Sequence, residues 1–296
     1  MINSGLAVGM ALFLARLVAP NVGYPVSRVI ADRVARRKGL AWVRGVRANQ
    51  WVISGQSLSA RELDRAALSV MRHQAHCLFD LYHCRRNPDA MQALAPLTDS
   101  MGALIERSRS RRGGALVVIP HLSNFDLLFI ANASRGLQAQ LLTLAGPTGG
   151  YRSHNSIRAA DGLSITPVSD EATRQAVARM KDGGLVITGI DRPIEGKRRS
   201  LAFFGQPSFL PAGYIRMAMQ ARVPVIAAAV SMSPGGQYCL MASDPIPMQP
   251  GGRDTAAIRA TAETVLDVIA GFIRRAPQQW LMYYPVWPHL SGSVPN

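Results

Sequence analysis

From Pro96 onward, short runs of branched apolar residues alternate with segments of helical periodicity, and that alternation restricts the fold more than any other feature of the chain. Ala115–Ile119 reads Ala-Leu-Val-Val-Ile, a continuous apolar run expected of a strand buried on both faces. Comparable runs occupy 139–143, 163–167, 185–188, 201–204, 225–231 and 237–242. Helical patterns fill 99–109, 124–135, 171–181, 212–220 and 254–274. Strands separated by helices predict an α/β fold: a mixed, largely parallel central sheet flanked by helices.

The first 95 residues have a different texture and are expected to form an N-terminal helical, membrane-associating region, followed by a core over 96–296 in one continuous domain. Residues 5–18 are apolar except for Arg16. That is shorter than the roughly 20 residues a spanning helix needs, and no Ala-x-Ala cleavage pattern follows. Arg28, Arg33, Arg36, Arg37, Lys38, Arg44 and Arg47 then stand against the single acid Asp32. An apolar helix followed by a cationic one suits attachment to the anionic cytoplasmic face of the plasma (inner) membrane, peripheral or N-terminally anchored. The competing expectation is a helical hairpin packed on the protein's own core. Helical periodicity continues through 59–86, with Ser59 and Glu62 spaced as a capping box. This segment carries His73, His76, Cys77, Asp80, His83 and Cys84 at spacings that bring several onto neighbouring faces. No completing ligand is evident elsewhere, so no metal is expected.

Charge narrows the partners. The 296 residues carry 33 Lys plus Arg against 18 Asp plus Glu, a net charge of +15, and all but three of the cations are arginines. Guanidinium groups match phosphate and carboxylate geometry, which points to nucleic acid, an anionic membrane or a phosphorylated ligand. A basic nucleic-acid-binding module is the rival from a different class. No zinc-finger, RNA-recognition or helix-turn-helix signature supports it, and aromatic residues make up 6% of the chain, few of them among the arginines. Cys77, Cys84 and Cys239 suggest neither a disulfide framework nor structural zinc.

The chemistry concentrates where the Ala115–Ile119 run ends. His121 lies just beyond it and Asp126 five residues later, at the start of the next helix. Ligand clefts of α/β sheets form at the C-terminal ends of strands. A carboxylate folded back onto the imidazole would fix one ring nitrogen and leave the other as a general base. No G-x-S-x-G nucleophile elbow is present, and Ser123 lies too close to His121 in sequence to serve as one. The acceptor hydroxyl would then come from the substrate, in direct acyl transfer from a thioester. Asp191-Arg192 follows another strand candidate. Arg192 reads as a phosphate contact, and Asp191 or Glu195 as a partner for a sugar hydroxyl or for the histidine.

The block His121-Leu-Ser-Asn-Phe-Asp126 resembles the H-x-x-x-x-[DE] motif of the lysophospholipid/glycerolipid acyltransferase superfamily. Gly183-Gly184 before a strand, Asp191-Arg192, Phe203-Phe204-Gly205 with Leu210-Pro211-Ala212-Gly213, and Pro277-Gln278-Gln279-Trp280 follow in the order of its bacterial glycolipid branch. That branch holds the lipid A late acyltransferases and the phosphatidylinositol mannoside acyltransferases. The resemblance implies an O-acyltransferase moving a fatty acyl group from acyl-CoA or acyl-carrier protein to a membrane glycolipid, without a cofactor. His121 and Asp126 would be catalytic; Asn124, Asp191, Arg192, Arg174 and Glu195 would contact substrate, with Asn124 an oxyanion donor beside backbone N–H groups. Asp126 departs from the lipid A branch, where this position is usually Glu. Ser169-Asp170-Glu171 stands where that branch tends to place an arginine, so either Arg174 substitutes for it or that phosphate contact is absent. A thioester hydrolase, with water in place of the acceptor, is the enzyme alternative.

Overall fold

The computed structural model describes residues 5–147, 149–194, 200–248 and 255–296. Six helices precede the first strand: α1 (Gly5–Leu17), α2 (Pro20–Ala35), α3 (Ala41–Ile53), α4 (Ala60–Cys84), α5 (Pro88–Leu94) and α6 (Asp99–Ser110). Strands and helices then alternate as β1 (Ala115–Ile119), α7 (Phe125–Ala133), β2 (Ala139–Thr143), α8 (Gly149–Arg158), β3 (Leu163–Pro167), α9 (Asp170–Lys181) and β4 (Leu185–Gly189). A small hairpin, β5 (Leu201–Phe203) with β6 (Gln206–Ser208), leads to α10 (Gly213–Ala221), β7 (Val225–Met232), β8 (Tyr238–Ala242) and α11 (Thr255–Arg275).

The main sheet has the order β3-β2-β4-β1-β7-β8, parallel throughout except for the antiparallel β7–β8 pair. The expected α/β architecture, mixed and largely parallel, is therefore what the chain adopts. One strand candidate fell elsewhere: the 201–204 run forms the separate hairpin rather than a sheet strand.

β1 explains why its sequence is apolar at every position. Leu116 and Val118 enter a core shared with α9, α10 and α11, while Ala115, Val117 and Ile119 enter a second core shared with α4 through α7. Alternate residues face opposite sides of a strand, so a central strand covered on both faces loses the polar half of the pattern. A third cluster joins Ala31, Val43, Val46, Ala67, Val70 and Met71 of α2, α3 and α4 with Leu281 of the C-terminal segment.

α4 begins with the expected capping box: the Glu62 N–H donates to Ser59 Oγ, and the Ser59 N–H donates to Glu62 Oε2 at 2.8 Å. α2 lies along it, tied by a bidentate Arg72–Asp32 ion pair and by the Tyr24 hydroxyl, which donates to buried Asp80 at 2.7 Å. The other side of α1 and α2 has no cover: Met10, Phe13, Leu14, Leu17, Val22, Val26, Val29 and Ile30 are each half or more exposed. Arg28, Arg33, Arg36 and Arg37 are exposed on α2 and just beyond it. Arg47 is a correction to the basic stretch read from sequence, because it is buried and paired with Asp64. Among the described residues, no helix is long and apolar enough to cross a membrane.

Candidate functional site

Parallel pairing of β1 with β4 sets Ile119 opposite Gly189. His121 and Asp191 each lie two residues past those positions, so the register alone delivers them side by side at the C-terminal edge of the sheet. The His121 ring Nδ1 lies 2.6 Å from Asp191 Oδ1, and the His121 N–H donates to Asp191 Oδ2 at 2.8 Å. The Trp280 indole N–H donates to the same Oδ2 at 2.7 Å.

Asp191 is fully buried. Burial alone would raise its carboxyl pKa, but the charge and hydrogen bond of His121, with the Trp280 and His121 N–H bonds, bring it below the ordinary carboxylate value. An ionised carboxylate only accepts, so Nδ1 carries a proton, and in the neutral tautomer this leaves Nε2 as the acceptor. Gly189 admits the ring: a Cβ there would stand 3.2 Å from His121 Cε1.

The turn that holds His121 is fixed from the C-terminal segment. The Leu281 N–H donates to the His121 carbonyl at 2.7 Å, the Ser123 N–H donates to the Gln279 carbonyl at 2.9 Å, and Leu122 bridges to Trp280. The Pro-Gln-Gln-Trp segment therefore packs against the sheet rather than standing at the surface. Trp280 and Trp287 are almost completely buried and stack around Phe203 and Phe204.

Beside His121 opens a cavity of about 980 Å³ lined mainly by apolar side chains from β1, β2, β4, α10 and the C-terminal segment. Its volume falls at the upper end of the range for small-molecule sites, about 300–1,000 Å³. Phe125 sets its ring edge-on to His121, with centroids 5.8 Å apart. Arg192 lines the cavity and lays its guanidinium 4.1 Å from the centre of the exposed Tyr284 ring.

Several expectations need correction. Asp126 lines the same cavity but does not hold His121. Its two oxygens receive Arg158 Nε at 2.7 Å and Arg158 Nη2 at 3.1 Å, because the first turn of α7 directs it toward α8. Burial works against the Arg158 charge, yet the Asp126 charge and hydrogen bonds raise its pKa above the usual arginine value. Asn124 is no free oxyanion donor: it caps α7, accepting from the Leu127 N–H, and gives its amide to the Cys77 carbonyl at 2.9 Å. Arg174 is exposed, paired with Glu171 on its own helix, and absent from the cavity wall. Glu195 lies outside the described residues. On α4, His73 is hydrogen-bonded to Ser123 and Cys77, His76 pairs with Asp80 and His83 meets the Ala15 carbonyl, and no described group of three potential ligands is disposed to hold a metal ion.

Arg158 is not marked in the sequence because the α8 segment is short and polar, with too few apolar residues to stand out as a helix. Asp191 was recognised, but its role as the ring's partner depends on which strands are neighbours.

A histidine oriented by a buried carboxylate, lining a large apolar cavity at the C-terminal edge of an α/β sheet, has the geometry a general base requires. The family of bacterial lipid A biosynthesis acyltransferases matches residues 95–288, and the chain belongs to that family. Comparison with curated proteins gives no match. The protein is thus an acyltransferase that acts on a glycolipid, taking its acyl group from a donor substrate.

The two acids should separate by experiment. Asp191→Asn should leave the fold intact and lower kcat/KM about 10²- to 10⁴-fold, the range of general acid–base contributions. Asp126→Ala leaves a mostly buried guanidinium without its ion-pair partner and should cost up to about 3 kcal/mol in urea unfolding. Equal activity losses with no difference in stability would contradict this division.

Proposed function

We propose that the protein transfers a fatty acyl group from a coenzyme A or acyl-carrier-protein thioester to a hydroxyl of a membrane glycolipid, of the lipid A or phosphatidylinositol mannoside type. The observation that carries this reading is His121: Nδ1 held by Asp191, Nε2 without a hydrogen-bond partner among the described residues, and a mainly apolar cavity of about 980 Å³ alongside. His121 Nε2 takes the proton of the acceptor hydroxyl as its oxygen attacks the thioester carbonyl. Asp191 keeps the tautomer and favours the imidazolium that forms. The tetrahedral oxyanion is met by N–H groups at the first turn of α7, where the helix dipole is positive. As the carbonyl re-forms, the thiolate leaves and His121 returns the proton to it.

Asp126 acts through Arg158, which builds the wall beside Phe125 and Tyr151. Arg192 serves a phosphate of donor or acceptor and gives up its seat on Tyr284 to do so. The residues invoked need no metal or organic cofactor. The uncovered apolar side of α1 and α2 and the arginines of α2 support seating on an anionic membrane at the cytoplasmic face, with residues 1–95 as the membrane-associating region. The +15 charge suits any anionic partner, and it is the exposed apolar residues beside the α2 arginines that favour lipid over nucleic acid.

His121→Ala should abolish formation of acylated glycolipid by mass spectrometry when acyl-CoA or acyl-carrier protein is supplied with vesicles carrying either acceptor type. Full transfer by that variant would end the mechanism, and release of free fatty acid in place of transfer would favour the hydrolase. Vesicle sedimentation tests the membrane surface separately: Leu14→Glu with Ile30→Glu should weaken binding to anionic vesicles at least tenfold, since each removes apolar contact and adds a repelled charge. Unchanged binding would rule out the α1–α2 surface.

A further inference from the structure

The histidine and cysteine cluster of α4 is not used by the reaction as described, yet it ends on the catalytic turn. His73 Nε2 lies 2.9 Å from Ser123 Oγ, with Cys77 Sγ 3.4 Å from the same nitrogen. The Tyr238 hydroxyl donates to Asp80 Oδ2 at 2.5 Å and also reaches Cys77 Sγ. A serine with a buried histidine could suggest a nucleophile. Ser123 is only 2% exposed, however, and neither it nor His73 lines the cavity, so no carbonyl of a bound acyl donor can reach the hydroxyl.

What distinguishes Ser123 is its backbone. Its φ is +52°, in the left-handed region, which costs residues that carry a Cβ and is found in native structures where surrounding contacts impose it. This residue lies between His121, fixed by Asp191 and Leu281, and Asn124, the cap of α7. Its conformation therefore decides where α7 starts relative to the His121 ring. That start places Phe125 edge-on to the His121 ring.

We infer that His73 is a positioning residue for acyl transfer, holding Ser123 in its left-handed conformation and thereby aligning the first turn of α7 with His121. The inference rests on the assignment of His121 as the base. Burial lowers the His73 pKa to about 4, with His76 acting in the same direction and Asp80 opposing, so the contact is a neutral hydrogen bond at physiological pH. Because it arranges groups that meet the transition state, losing it should affect turnover more than substrate binding.

Glycine adopts this conformation freely, and that gives a test a merely structural role would fail. Acyl transfer by the full chain, with the donor and acceptor that the wild type turns over, should show kcat about 10- to 100-fold lower in Ser123→Ala and in His73→Leu, with KM for the donor within about twofold. Ser123→Gly should recover most of the turnover that Ser123→Ala loses. The double variant His73→Leu/Ser123→Gly should recover most of what His73→Leu loses, and His73→Gln, which can still hydrogen-bond to the hydroxyl, should stay close to wild type. If His73→Leu does not fold, the Ser123→Ala and Ser123→Gly pair decides alone. Wild-type kcat in Ser123→Ala, or no recovery with glycine, would overturn the inference. An active His121→Ala variant would instead remove the assignment on which it rests.

Discussion

A carboxylate with no solvent exposure must find donors or lose its charge, and the Asp191 side chain finds three: the His121 ring, the His121 N–H and the Trp280 indole. Two of these come from the loop after β1 and the third from the segment that follows α11. For all to meet, β1 and β4 must be adjacent and in register, and the C-terminal segment must cross back over the sheet edge. The same crossing supplies the backbone bonds that pin His121 and Ser123. The site and the closure of the fold are thus one arrangement.

Two acids lie near His121, where one spacing motif would place a single residue. Asp191 sits behind the ring, away from solvent, where its charge acts on the imidazole at short range. Asp126 faces Arg158, and the pair is mostly buried with aromatic rings of Phe125 and Tyr151 against the guanidinium. A partly desolvated ion pair of this kind fixes the geometry of two helix ends, α7 and α8, at the rim of the cavity. It keeps a charged group in an apolar wall without leaving it unpaired.

The positive charge is distributed unevenly in its consequences. Some arginines are internal fasteners: Arg47 on Asp64, Arg72 on Asp32, and Arg135 on the backbone carbonyls of Gln92 and Ala95. Those of α2 stand exposed beside uncovered leucine, isoleucine, valine and phenylalanine side chains. Apolar surface next to cations matches the two layers of an anionic bilayer surface, acyl boundary and headgroup, better than it matches water. α4 carries these helices on one side and reaches the catalytic turn on the other.

By itself, the sequence determined the α/β class, most strand and helix positions, the capping box of α4, the placement of His121 and Asp191 just past strand ends, and the ordered motifs that resemble glycolipid acyltransferases. Those features are local: periodicity, residue type and spacing express them within a few residues. Tertiary structure alone decided which acid holds the histidine, since five residues in sequence brought Asp126 to the cavity rim while parallel register brought Asp191, 70 residues away, to the ring. It also decided that Asn124 is consumed as a cap, that Arg174 pairs with Glu171 and is absent from the cavity wall, and that Arg158 of the short, polar α8 lines it. Hydrogen-bond partners across a sheet depend on strand order and on what burial leaves unsatisfied, and neither is written in the spacing of a motif.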